Sequence, residues 1–218
     1  MDKLTVALPK GRMQDEVLAL FTEAGYPTDG EVGRKLFFDD LTGRLRFMLA
    51  KPGDVPTYVE YGAADLGVAG LDVLREGEYN LYEPLGLGVG ACRLSLAGPP
   101  EVLDRKLRLE ANVRVASKYP RQARAYFESR GITAEVIYLT GSIELAPAVG
   151  IADLLVDLVQ TGRTLVENGL VERETILESQ ATLVVNPASH KLQFDAVQSL
   201  IVALAGVVQA RAEGESHA

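Results

Sequence analysis

Short apolar runs alternate along the chain with segments whose apolar positions recur every three to four residues. This is the pattern of an α/β protein with mainly parallel strands. Leu4–Leu8 reads as a strand, and Met13–Ala24 as a helix with Val17, Leu18, Leu20 and Phe21 on one stripe and Gly25 as its stop. A strand is predicted at Leu45–Ala50. A helix over Val55–Tyr61 follows, with Asp54 as its N-cap and Pro56 in its first turn, where a missing N–H is tolerated. Leu66–Ala69 reads as a short buried strand. Further on, the pattern predicts a strand at Val113–Ala116, a helix over Arg121–Arg130 stopped by Gly131, and a strand at Glu135–Leu139. The last helix, about Phe194–Ala212, leads into a polar tail.

One internal similarity bears on domain organisation. Gly62-Ala63-Ala64-Asp65-Leu66-Gly67-Val68 and Gly150-Ile151-Ala152-Asp153-Leu154-Leu155-Val156 share the pattern G-x-A-D-L-x-V at an offset of 88 residues. That offset is too long for a solenoid repeat. It fits two α/β lobes, each with a turn leading into a buried strand and a ligand cleft between them. Chance is the competing explanation, because Gly, Ala, Leu and Val are common.

Composition narrows the function. Thirty acidic against 22 basic residues leave a formal charge of −8, with a pI near 4.9. A general nucleic-acid binder needs a basic face, so this class is disfavoured. Any anionic ligand must be held by a local concentration of donors. Cys92 is the single cysteine and allows no internal disulfide or cysteine-based zinc site. His190 and His217 lack ligand-like spacing. No export signal is expected from Met1-Asp2-Lys3 and the short apolar run after it, and no stretch is expected to approach the roughly 20 apolar residues of a membrane span. The expectation is a cytoplasmic protein.

The most informative chemistry lies between Gly150 and Leu165. A buried strand carries Asp153 and Asp157 toward the turn Thr161-Gly162-Arg163-Thr164, which opens a short helix. Backbone N–H groups at such a turn favour an anion. The threonine hydroxyls add donors, Gly162 permits close approach, and nearby carboxylates accept from vicinal hydroxyls. Phosphate plus diol describes a ribose 5-phosphate. The alternative is purely structural: Asp153 caps the strand and Thr161-Gly162 is a turn.

A second polar loop, Pro9-Lys10-Gly11-Arg12, links the first strand to a helix, the usual place for ligands in open α/β sheets. A solvated loop is its equal competitor. Gly141-Ser142-Ile143-Glu144 makes a third strand-to-helix turn, and Arg34, Lys35 and Lys51 are further basic candidates whose default is surface exposure. There is no P-loop motif and no G-x-S-x-G, and Cys92 has no evident histidine partner, so covalent catalysis is disfavoured. Gly86-Leu87-Gly88-Val89-Gly90 lacks dinucleotide-loop spacing and reads as an interlobe connection.

These residues resemble the ATP phosphoribosyltransferase family. The similarity rests on Leu8-Pro9-Lys10-Gly11-Arg12, on Asp54-Val55-Pro56-Thr57-Tyr58-Val59, and on the run from Gly62 to Leu74. It continues through Gly141-Ser142-Ile143-Glu144-Leu145-Ala146-Pro147 and the segment from Asp153 to Leu165. The resemblance implies a two-lobed α/β fold like type II periplasmic binding proteins: residues 1–90 plus about 180–218 as lobe I, about 91–179 as lobe II. It implies that phosphoribosyl pyrophosphate is bound by Gly141, Ser142, Glu144, Asp153, Asp157, Thr161, Gly162, Arg163 and Thr164. It assigns ATP and pyrophosphate contacts to Lys10, Gly11, Arg12, Arg34, Lys51 and Asp72.

The implied reaction joins adenine N1 of ATP to C1 of phosphoribosyl pyrophosphate, the first step of histidine biosynthesis. No certain catalytic acid or base is expected. Mg²⁺ is expected to ride on the substrate rather than in a protein metal site. The length resembles the short form of the family, which works with a regulatory subunit similar to histidyl-tRNA synthetase. A homodimer within a hetero-oligomer is implied, with no nucleic-acid or membrane partner. Two other readings stay open on the residues alone: a non-enzymatic two-lobed solute sensor, and a phosphoribosyltransferase with another base acceptor.

Overall fold

The computed structural model describes residues 3–30, 35–105, 107–110 and 112–215. The chain starts with β1 (Leu4–Pro9), α1 (Met13–Glu23), β2 (Phe37–Asp39), β3 (Leu45–Ala50), α2 (Val55–Glu60), β4 (Leu66–Gly70), α3 (Leu71–Glu76) and β5 (Tyr82–Gly86). It continues through β6 (Cys92–Gly98), α4 (Pro100–Leu103), β7 (Val113–Ser117), α5 (Pro120–Ser129), β8 (Ala134–Tyr138), α6 (Leu145–Ala148), β9 (Leu154–Val159), α7 (Arg163–Glu167) and β10 (Val171–Ser179). It closes with β11 (Ala181–Val185), α8 (Pro187–Leu192) and α9 (Phe194–Glu215). Contacts divide it into two compact units: one from the segments up to Gly90 and from Gln180 onward, the other Ala91–Ser179.

The first unit carries a sheet of order β2-β3-β1-β4-β11-β5, in which β3, β1 and β4 run parallel. Strands covered on both faces read as continuous apolar runs, as Leu4-Thr5-Val6-Ala7-Leu8 does. Val6, Leu8 and Phe47 face Val17, Leu20 and Phe21 of α1 and Val197, Leu200 and Leu204 of α9. Ala7, Met48 and Ala69 face Val55 and Val59 of α2. The second unit carries the order β10-β6-β9-β7-β8, with β7, β8 and β9 parallel. Leu154 and Val156 pack on Ala123 and Phe127 of α5, while Leu155 and Val159 pack on the other face with Ile143, Ala146 and Leu165.

The two sheets repeat one plan. β1-α1-β3-α2-β4 corresponds to β7-α5-β8-α6-β9, with the first strand in the middle of the parallel trio each time. The strand beside the third member is antiparallel in both: β11 against β4, and β6 against β9. The internal similarity is therefore structural. Gly62 and Gly150, at φ +73 each, end α2 and α6, a left-handed position that favours glycine.

Three expectations need correction. Asp54 does stand at the N-cap position of α2, but it ends a 3-10 turn, Pro52–Asp54, with helical φ/ψ, and its side chain makes no capping bond. The flanking Pro52 and Pro56 start the helix instead, by presetting φ. Strands β2, β5, β6, β10 and β11 are not among the elements predicted from the sequence. Edge strand β10, Val-Glu-Arg-Glu-Thr-Ile-Leu-Glu-Ser, is too charged to stand out as a buried run. Finally, α9 is long and apolar enough by length and composition to cross a membrane, although interspersed polar residues break it into shorter apolar runs. Only one stripe of this helix is covered: Val197, Leu200 and Leu204 are fully buried, and Arg211 pairs with Glu23 at 2.5 Å.

Candidate active site

In open α/β sheets the loops at the carboxyl ends of parallel strands form the usual ligand edge. In the second unit three such loops lie side by side. β7 delivers Lys118, β8 leads to Gly141–Glu144, and β9 delivers Asp157 and then Gln160–Thr164. Ser117 ties the first loop to the third strand: its hydroxyl donates to the Val156 carbonyl at 2.7 Å and accepts from the Tyr119 N–H at 2.9 Å.

The turn after β9 is open and donor-rich. Thr161, Arg163 and Thr164 are exposed. Gly162, the residue before α7, sits at φ +77, and a Cβ there would meet only Val159, at 3.9 Å. Its constraint is therefore backbone conformation rather than space. The Arg163 N–H reaches the Thr161 hydroxyl at a long 3.4 Å. Because α7 has only five residues, the oriented amides of the turn matter more here than a helix dipole.

Asp157 is half-buried in β9, four residues before this turn. Burial pushes its carboxyl above the ordinary range; a bond from the Leu158 backbone opposes this, Glu144 adds to it, and Lys118 opposes it. Ser142, at φ +48, is the one non-glycine residue in the left-handed region among the described residues. Strain of this kind concentrates at functional loops.

Not every sequence candidate comes to this edge. Asp153 precedes β9, so the six residues of that strand separate it from Gln160 by about 20 Å. Its carboxylate accepts the Arg114 N–H at 2.9 Å and Arg114 Nη2 at 2.9 Å. Hydrogen bonding from Arg114 holds it below the usual carboxylate range. The structure thus places Asp153 as a strand brace, away from the turn. Conversely, Lys118 is absent from the candidates that sequence reasoning supplies. Its only signal is a position just past an apolar strand and before Pro120, the place that Lys10 takes after the first strand.

The first unit repeats the arrangement at the ends of β3, β1 and β4. Pro9 pairs with Ala50, and the Lys10 N–H donates to the Ala50 carbonyl at 2.8 Å, so Lys10 and Lys51 leave adjacent strands together. Gly11 and Arg12 follow, both exposed. Asp72 is buried in the first turn of α3, directly after β4. Arg34 lies outside the described residues. Among the described residues, no group of three or more His, Cys, Asp or Glu side chains is placed to hold a metal ion.

A family model described as "HisG: ATP phosphoribosyltransferase" matches residues 51–206. The chain belongs to the ATP phosphoribosyltransferase family. A relative of that name from Caldanaerobacter subterraneus is 49% identical over 210 residues, covering 95% of this chain and 99% of that protein. Another from Halalkalibacterium halodurans is 48% identical over 211 residues, covering 96% and 98%. Among solved structures, an ATP phosphoribosyl transferase (HisG:HisZ) complex from Thermotoga maritima is similar at a TM-score of 0.80 and 35% identity, covering 95% of this chain and 99% of that one. The fold of this ATP phosphoribosyltransferase is the two-lobed α/β class of periplasmic binding proteins, and the family's reaction is the first step of histidine biosynthesis.

Proposed function

We propose that this chain carries out the family's transfer of the 5-phosphoribosyl group to adenine N1 of ATP by positioning and electrostatics. In this reading the Thr161–Thr164 turn holds the 5-phosphate and Asp157 accepts from the ribose hydroxyls. Lys118, Gly141, Ser142 and Glu144 complete that edge. Lys10, Gly11, Arg12, Lys51 and Asp72, with Arg34 outside the described residues, serve ATP and pyrophosphate. The observation that carries the reading is the convergence of three strand ends on the Thr161–Thr164 turn with the desolvated Asp157 four residues before it.

Adenine N1 already has a lone pair, so no side chain must remove a proton before it attacks C1. The barrier lies in departure of pyrophosphate while positive charge develops on the ribose. Lysine and arginine side chains and turn amides oppose the charge on the leaving group, and oriented binding removes the entropy of encounter. Asp157 sits where a carboxylate favours positive charge on the sugar.

A divalent cation accompanies this chemistry, and we assign Mg²⁺ carried by the substrate. Mg²⁺ retains water and takes one or two carboxylates plus phosphate oxygens. Asp157 and Glu144 fit such a donor set. Held by these carboxylates and the substrate's phosphate oxygens, such an ion would supply positive charge against the leaving group.

The partner in this reading is a regulatory subunit of the HisZ type, as in the Thermotoga maritima complex. A homodimer within a mixed oligomer and a cytoplasmic location complete the proposal. The test is to mix purified protein with ATP, phosphoribosyl pyrophosphate and Mg²⁺, with and without that subunit. Phosphoribosyl-ATP and pyrophosphate should appear together. Binding of both substrates with no turnover in either mixture overturns the reading.

A further inference from the structure

Arg93, near the start of β6, stands opposite Val159, the last residue of β9. Its Nε and Nη2 donate to the two oxygens of Glu172 at 2.5 Å each, and its Nη1 donates to the Gln160 carbonyl at 3.2 Å. The Ser95 hydroxyl donates to the same Glu172 carboxylate at 2.8 Å. Arg93 and Glu172 are both largely covered, with side chains 30% and 24% exposed. None of these residues belongs to the substrate contacts assigned above.

Gln160 is the first residue beyond β9, and its carbonyl shares a peptide with the N–H of Thr161. A peptide is planar and trans, so its C=O and N–H point in opposite directions. Holding the carbonyl toward Arg93 therefore turns the Thr161 N–H to the other side. Inside the turn the Arg163 N–H reaches the Thr161 hydroxyl only at a long 3.4 Å; from beyond it, the Val166 N–H donates to the Gly162 carbonyl at 3.2 Å and Asn168 Nδ2 to the Thr164 carbonyl at 2.8 Å. Only a guanidinium has the fork to grip both carboxylate oxygens and still reach a carbonyl.

We infer that Arg93 is a positioning residue for phosphoribosyl pyrophosphate: anchored by Glu172, it holds the Gln160 carbonyl and so aims the first amide of the phosphate-binding turn. The inference rests on the reading of Thr161–Thr164 as the 5-phosphate site.

Arg93→Lys is the informative variant, since it keeps a cation beside Glu172 but lacks the fork. Arg93→Gln removes the charge as well. KM for phosphoribosyl pyrophosphate should rise about tenfold in both, as expected for small misplacement of a binding group, while KM for ATP stays within about twofold. With ribose 5-phosphate bound, the protection of the Thr161 amide against hydrogen exchange should fall in Arg93→Lys while the interior amides of β9 keep theirs. Thr161→Val and Thr164→Val serve as controls on the turn. If they raise KM for phosphoribosyl pyrophosphate and the Arg93 variants do not, the role of Arg93 is overturned and the phosphate site stands. If the turn variants leave that KM unchanged, the phosphate site falls and the inference with it. An equal rise of both KM values in Arg93→Lys, with faster exchange throughout β9, also overturns it, because that is the result of a merely structural pair.

Discussion

Asp65 and Asp153, 88 residues apart, make the same bond in the two units. Asp65 accepts the N–H of Thr5 at 2.8 Å and donates its own N–H to the Thr5 carbonyl; Asp153 accepts the N–H of Arg114 at 2.9 Å and donates to the Arg114 carbonyl. Thr5 and Arg114 are each the second residue of the central parallel strand, β1 or β7. Each aspartate thus pins the entrance of the third strand to the first. Asp65 goes on to accept from Ser189 and Gln193, whereas Asp153 pairs with Arg114.

Removing either brace should act on stability. Asp65→Ala and Asp153→Ala each strand a backbone donor and should lower unfolding free energy by about 1–3 kcal/mol. Urea unfolding gives the loss, and KM for phosphoribosyl pyrophosphate should stay within about twofold in Asp153→Ala. A large KM increase with normal stability would return Asp153 to the substrate.

Asp157 should behave in the opposite way. Its folded pKa is raised by burial, so its ionised form destabilises the free protein at neutral pH. Asp157→Asn should raise the melting temperature without substrate while sharply weakening use of phosphoribosyl pyrophosphate. A variant with near-normal kinetics removes Asp157 from the site.

Acid should weaken the fold through the depressed carboxylates. Arg114 holds Asp153 below its ordinary 3.8, and Arg93 holds Glu172 below 4.5. For both, the stabilisation is complete above the unfolded value and disappears as pH falls through the lower folded value. Urea midpoints between pH 6 and pH 2 should therefore fall at the acid end, and Asp153→Asn should flatten that fall. Asp157 contributes with the reverse sign, gaining stability as it protonates, so Asp157→Asn should steepen it.

Gly162→Ala tests the turn itself. With nothing crowding the position, the cost is the left-handed backbone, about 1–2 kcal/mol for an L residue. The turn should shift to relieve it. A drop in affinity for ribose 5-phosphate, read by titration calorimetry, with circular dichroism unchanged, is the expected result.

Much of the architecture is legible in the sequence because buried parallel strands must be apolar throughout. Leu4–Pro9, Leu45–Ala50 and Val113–Ser117 announce themselves in this way, and the motif around Gly62 and Gly150 carries the repeat. The turn at Thr161–Thr164 is visible for a similar reason, since a Thr-Gly-Arg-Thr run is local chemistry. Charged edge strands such as β10 are not visible, because their partners rather than their composition make them strands.

The sequence by itself determined the fold class, the family and the loops that bear donors, since these depend on periodicity and on contiguous motifs. Tertiary structure alone decided which aspartate serves which end of β9. Asp153 and Asp157 are four residues apart in the chain, yet a strand carries them toward opposite edges of the sheet. One meets Arg114 and is held ionised; the other is desolvated in the half of β9 nearer the turn. That division follows from extended geometry and from pairing with β7, neither of which can be read from spacing alone.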